Sequence, residues 1–417
     1  MIDVTATRHL RPRGGGATQP TTTLELFFDL VYVFAVTQLS HQIIDDLSVA
    51  GVARAAFLLL VVWWAWIYTT WMANWFDPRS PAVRGVLTAV MLGSLLMATS
   101  LPQAFGEHGL LFAGSYVALQ VGRNAAAAWL LSRRHRLRGV FERLVVWSVA
   151  SGVLWLAGAT LDGDQRLALW IPALLLELAA PAAGYWLPGR GRTVTTDYDI
   201  EGGHFAERCQ LFILIALGES IVVTGATATE AGLTSTVVIC LVVAFAQTAA
   251  LWWLYFGATA ELARAKMSAC DDPGRLARDA YTYLQLPIIA GIIATAVGND
   301  LLIAHPHEPL NRTGVAMIFC GPALYLLGEG LFRRRMGGPP RPERLAVAAV
   351  FVALTLVGDQ LSPLLLSAIV AALLTALAVW ELRPPDMKPA ARVVRGLRRR
   401  RLRHCRTMEA AERSGPQ

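Results

Sequence analysis

The sequence predicts an all-α polytopic membrane protein of about twelve transmembrane helices, and three observations predict it. Of its 417 residues, 55% are hydrophobic and only 16% are charged, with a mean hydropathy of +0.46. A soluble domain of this size carries near a quarter charged residues and does not hide so much apolar surface in one core. The apolar residues fall in runs of the ~20 positions that cross a bilayer. The basic residues cluster between alternate runs, as the positive-inside rule requires. The same composition excludes a disordered chain.

The runs, in order, are 24–44, 54–74, 86–105, 109–131, 143–161 and 167–187, then 205–225, 233–259, 281–303, 313–332, 344–358 and 361–382. Gly358-Asp359-Gln360 breaks the last long stretch, and Ser362-Pro363 opens a new helix. With the N-terminus cytoplasmic, 32 of the 37 lysines and arginines fall on that side. Only Arg54, Arg166 and Arg312 fall on the other, while Arg123 and Arg208 lie within or at the edge of spans. Both termini are therefore expected in the cytoplasm. The net charge of +7 and pI of 9.4 then report topology rather than a nucleic-acid partner. The five cysteines show no CxxC spacing, so neither a disulfide framework nor a zinc site is expected. No apolar h-region lies in the first 23 residues, so no cleaved signal peptide is expected.

The two sets of six resemble each other. Trp63-Trp64-Ala65-Trp66 in the second run matches Trp252-Trp253 in the eighth. Arg133-Arg134 and Arg333-Arg334-Arg335 close the fourth and tenth, and Arg143-Leu144 and Arg344-Leu345 open the fifth and eleventh. Glu25 and Glu207 start the first and seventh. This order predicts a tandem parallel duplication of a six-helix unit. The expected organisation is a cytoplasmic segment 1–23, a first repeat 24–187, a linker 188–204, a second repeat 205–382 and a basic tail 383–417. That tail, rich in arginine, is expected to be disordered and to meet anionic lipid.

Ionisable groups inside a bilayer cost ~2.5–3.5 kcal/mol each on insertion scales, so those present are the candidates for function. Glu25 and Asp29 are four residues apart and share one helix face. Glu25 also suits a helix N-terminus, and a buried salt bridge is the competing account of Asp29. His204 and Arg208 are likewise i and i+4, and Arg208 to Glu219 is eleven residues, close to three full turns. His204, Arg208 and Glu219 thus line one stripe, with Glu207 beside it. Arg123, Asn124, Glu177 and Glu329 are secondary candidates, equally able to form structural pairs. Trp63, Trp64, Trp66, Trp71 and Trp75 suit a membrane interface, and Trp63 and Trp64, nearer mid-span, also suit an aromatic lining for an organic cation. His305-Pro306-His307-Glu308 reads as an ordinary loop. No catalytic motif, metal or cofactor is expected.

Glu25-Leu-Phe-Phe-Asp29-Leu-Val-Tyr-Val-Phe-Ala-Val-Thr-Gln38 resembles the N-terminal signature of the bacterial low temperature requirement protein A family. His204-Phe-Ala-Glu207-Arg208, followed by Leu217-Gly218-Glu219-Ser220, resembles its second signature. The resemblance covers residues 20–385. Cys209-Gln210 departs from it, where the family often has histidine or an aromatic and then glycine. The family is named for a growth phenotype in the cold and has no settled activity, so the resemblance implies a family and a membrane location but no reaction.

Three functions fit these residues. A transporter or ion pathway would use Asp29 and Glu219 as switching carboxylates, with His204 and Arg208 at the cytoplasmic mouth and a small solute or cation as cargo. A membrane enzyme or biosynthetic accessory protein would use the same groups on a lipid or hydrophobic substrate. A scaffold would use them only to lock helix packing.

Overall fold

The computed structural model describes residues 9–12 and 19–381, except 134, 199 and 357. The expected basic tail, 383–417, lies outside the described residues, as does most of the N-terminal segment. The described residues form twelve helices and no sheet. Two compact units divide the chain, Met1–Glu219 and Ser220–Gln417.

In the first unit the helices are α1 (Thr23–Asp45), α2 (Val49–Trp75), α3 (Pro81–Ser100), α4 (Gly109–Leu130), α5 (Arg136–Ala159) and α6 (Gly163–Ala179). α7 (Gly202–Glu230) contributes its part up to Glu219. α1 packs on α2 and α3, and the chain then stacks α3 on α4, α4 on α5 and α5 on α6. Polar residues start these helices for a local reason. The Thr22 side chain accepts the Glu25 N–H and the Glu25 side chain reaches back, a capping box that satisfies orphan donors of α1. Ser48 caps α2 through Gly51, and Pro81 starts α3 where its missing N–H leaves no bond unmade. α6 stops at Ala179 rather than reaching 187: Pro181 has no N–H to continue the ladder, and Gly184 and Tyr185 then turn the chain at φ 62° and 47°.

In the second unit the helices are α8 (Ser235–Ala269), α9 (Pro273–Ala304), α10 (Arg312–Arg335), α11 (Pro342–Leu354) and α12 (Pro363–Glu381). α9 and α10 pack together, α11 lies on α10, and α12 lies on α8. Small residues permit the α9–α10 approach: a Cβ on Gly291 would meet the Tyr325 nitrogen at 2.5 Å, and one on Gly321 the Thr295 nitrogen at 2.7 Å. α8 carries a π-helical turn at Tyr255–Thr259, and α9 one at Ala277–Leu284.

Nine of the described helices are long and apolar enough to cross a membrane. The others are α4, which carries Gln120, Arg123 and Asn124, and the two short helices α6 and α11, of 17 and 13 residues. At 1.5 Å per residue the latter two reach ~26 and ~20 Å, short of the ~30 Å hydrocarbon layer.

The helices are inside-out relative to a soluble protein. On α1, Phe27 and Leu30 are 60% and 59% exposed while Glu25 and Asp29 are 1% and 0%. On α8, Val242 and Phe245 are exposed while Gln247 and Thr248 are buried. Apolar residues outside and charges inside are what a lipid solvent selects.

Candidate functional site

α1 and α7 meet through a ladder of two charged rungs, both in the first unit. The Arg208 guanidinium donates to Asp29 Oδ1 at 2.7 Å, and His204 Nε2 lies 2.9 Å from Glu25 Oε1. The rungs are four residues apart on each helix and ascend in the same direction, so the helices run parallel here and in register. One turn of each helix therefore sets both pairs.

Other elements complete the cluster. Trp66 Nε1 on α2 donates to Asp29 Oδ1 at 2.8 Å. Residues before α1 pair with the end of α2 through an isolated bridge, Leu10 to Phe76, and this delivers Arg11. Arg11 lies 2.8 Å from Glu25 and donates to the carbonyls of Ala73 and Phe76, at the C-terminal end of α2 where a cation is favoured. Asn74, next to Ala73 on α2, bonds His204 Nδ1 at 3.1 Å and both backbone groups of Glu201. Arg11 is 7% exposed, and Glu25, Asp29, Asn74, His204 and Arg208 are each at or below 1%. Two carboxylates and two guanidiniums balance, with His204 between them. Asp29 Oδ2 and Arg208 Nε and Nη1 have no hydrogen-bond partner among the described residues.

The aromatic residues already hold a cation. The Arg208 guanidinium lies 5.7 Å from the Phe28 ring centre and 5.9 Å from Trp66. Phe212 packs on Trp66 and Trp63 at 4.4 and 5.5 Å. Trp63 packs against Trp66 and Phe212, and Trp64 against Tyr68.

Glu219 does not join this cluster. Its carboxyl stands against Thr37, with His41 nearby, further along α1. Its Oε1 is buried without a hydrogen-bond partner among the described residues. His41 also lines a cavity of about 330 Å³ at the end of α1, with Gln38, Gln42, Asp45, Asp46 and Arg54. The stripe drawn from His204 to Glu219 is real on α7 but meets two separate places on α1. Glu207 is half-buried beside the cluster.

The secondary candidates sit elsewhere. Arg123 and Glu177 do not touch. Glu177 accepts from Tyr116, from Ser151 at 2.7 Å and from Trp155 at 3.1 Å. Tyr116 accepts from Gln120 at 2.9 Å, and Gln120 accepts from Arg123. The two charges are thus joined by a relay of two neutral side chains. Asn124 bonds Ser148 at 3.1 Å.

In the second unit Glu329 meets Arg344, which also grips Glu381 with two bonds of 2.6 and 2.7 Å. Thr259, in the π-turn of α8, donates to Glu329, and Arg344 donates to the Leu254 carbonyl at the turn's start. A π-turn disturbs the helical ladder, and here a buried arginine takes up the carbonyl.

Sequence reasoning missed Arg11, Asn74, Arg344 and Glu381 as members of these clusters. Arg11 and Arg344 had been counted as topology charges, yet both are buried. Arg166, one of three basic residues on the disfavoured side, is buried too: it donates to Ala104 and Gly106 at 2.8 Å each, which gives it a structural reason to be there. Among the described residues no group of three His, Cys, Asp or Glu side chains is placed to hold a metal ion.

No solved structure matches this chain. The chain is 35% identical over 360 residues to the uncharacterized protein RA0937 of Rhizobium meliloti (strain 1021), covering 86% of this chain and 88% of that one. The family described as bacterial low temperature requirement A protein matches residues 20–379, which takes in both charged rungs and Glu219. On that match, over most of its length, the chain belongs to the bacterial low temperature requirement A protein family.

Proposed function

We propose that this protein is a transporter or ion or proton pathway of the bacterial inner membrane. In this reading it has twelve crossings, both termini in the cytoplasm and two six-helix repeats. The α1–α7 ladder lies toward the cytoplasm and the cavity beside His41 toward the outside. The basic tail meets anionic lipid. The α1–α7 cluster is then a closed internal gate, and Glu219 is the carboxylate next to the outer vestibule.

The observation that carries the reading is the buried ladder itself. Apolar pairs of similar volume would hold the two helices together as well, without desolvating charges. Charges kept at such a position in a bilayer are expected to be used. Glu219, buried against Thr37 and near the vestibule through His41, adds a second switching group on the same helix pair.

The test is reconstitution of the full chain in liposomes holding a pH-sensitive dye, with proton, sodium and potassium gradients applied in turn. Flux is expected for the native chain, and Asp29→Asn and Glu219→Gln are expected to abolish it while still accumulating in the membrane. Native vesicles without flux under every gradient would overturn the reading. One observation favours a second reading, a scaffold: each charge of the ladder has an internal partner. Native vesicles without flux, together with two variants that fail to accumulate, would select it.

A further inference from the structure

Asn74 pairs with both backbone groups of one residue. Its Oδ1 accepts the Glu201 N–H at 2.8 Å, and its Nδ2 donates to the Glu201 carbonyl at 2.9 Å. A backbone N–H must face an oxygen, so this pairing determines which way the amide points. The second hydrogen of Nδ2 is then directed at His204 Nδ1, 3.1 Å away. A donor there requires that Nδ1 carry a lone pair. The ring proton is left to Nε2, which lies 2.9 Å from the Glu25 carboxylate.

The same amide guards the start of α7. The Glu201 carboxylate accepts the N–H of Gly203 at 3.1 Å and the N–H of His204. Glu201 thus caps α7 with its side chain while Asn74 holds its backbone. The groups around His204 are Glu25 from α1, with Asp29 beyond it on Arg208, Arg11 from the segment before α1, Asn74 from α2, Glu201 just before α7, and Arg208 one turn along α7, with Glu207 half-buried on the same helix.

We propose that the pathway's cargo or coupling ion is the proton, that it binds at Nδ1 of His204, and that Asn74 converts its arrival into release of the start of α7. Hydronium gives its proton to Nδ1, leaving water, and the ring becomes an imidazolium. Two donors then face each other, Nδ1–H and the Asn74 amide nitrogen. The amide turns so that Oδ1 accepts from Nδ1, and in turning it gives up both bonds to the Glu201 backbone. The proposal rests on the transport reading for its pathway, but the tautomer and the amide turn stand without it.

The test is nitrogen NMR on the full chain in lipid nanodiscs, labelled at histidine and asparagine, with His204 assigned by its loss in His204→Gln. At neutral pH the expected ring is protonated at Nε2 and bare at Nδ1. On acidification the doubly protonated ring is expected, and the Asn74 amide signal moves in the same step. Asn74→Asp places a carboxylate acceptor beside Nδ1, so a proton on Nδ1 is expected in that variant under conditions where the native ring is bare there. A proton on Nδ1 at neutral pH, or a ring that titrates while the Asn74 amide stays still, overturns the proposal. A correct tautomer and amide turn in a protein that conducts no protons overturns the pathway alone, and proton flux with the wrong tautomer overturns the His204 device alone.

Discussion

Arg208 and Asp29, 179 residues apart in sequence, form a 2.7 Å ion pair with neither side chain more than 1% exposed. Removing one partner of such a pair leaves the other charged and desolvated, at a cost of about 3–5 kcal/mol, whereas replacing both by apolar groups is often neutral. Asp29→Leu alone is therefore expected to reduce the folded fraction sharply. Asp29→Leu with Arg208→Met is expected to recover most of the thermal midpoint in detergent while losing flux. A double variant as damaged as the single one would show that the pair is not what Asp29 serves.

Arg344 makes a second prediction, independent of transport. Its planar fork reaches Glu381 twice, Glu329 once and the Leu254 carbonyl once. A lysine ammonium is a point charge and does not reproduce that fork. Arg344→Lys is expected to lower stability, read from the thermal midpoint, nearly as far as Arg344→Gln, whose cost is on the order of 3–5 kcal/mol. Arg54→Gln is the control: its contact with Asp46 is 3.8 Å long and about half exposed, so a change within about 0.5 kcal/mol is expected.

The α9–α10 seam makes a third. Gly321→Val forces backbone apart where a Cβ already falls at 2.7 Å, and overpacking of this kind costs about 1–3 kcal/mol or more. Gly114→Ala, with nothing within 4 Å of its Cβ, is expected to be neutral or to stabilise α4 by about 0.5–1 kcal/mol. Thermal unfolding of the two variants side by side checks the contrast. Equal loss in both would mean that α9 and α10 are not held at the distance drawn.

Much of the site was legible in residue spacing. Glu25 with Asp29, and His204 with Arg208, are each i and i+4, so each pair had to share a helix face whatever the fold. That the two faces meet was not legible, because helical periodicity gives the side of a helix on which a residue lies but not the helix it faces. The same gap explains Glu219, which shares the Arg208 stripe on α7 yet lies against Thr37. It explains Arg123 and Glu177 as well, whose charges suggested a direct pair and whose distance is filled by Gln120 and Tyr116. Arg11 and Arg344 were hidden for another reason: a basic residue next to a span satisfies the topology rule whether it is solvated or buried.

The sequence by itself determined that the chain is helical and suited to lipid. Backbone groups in hydrocarbon must bond within their own segment, and 55% apolar residues in long runs leave no other arrangement. It also determined which charges are out of place, since each in-span carboxylate or arginine carries a desolvation cost that composition alone reveals. Only the tertiary structure decided who answers each charge. Asp29 with Arg208, Glu25 with His204 and Arg11, and Glu329 with Arg344 are pairs across long stretches of chain. A charge's energy in a low-dielectric interior depends on the few ångströms to its partner, and that distance is set by packing rather than by order along the chain.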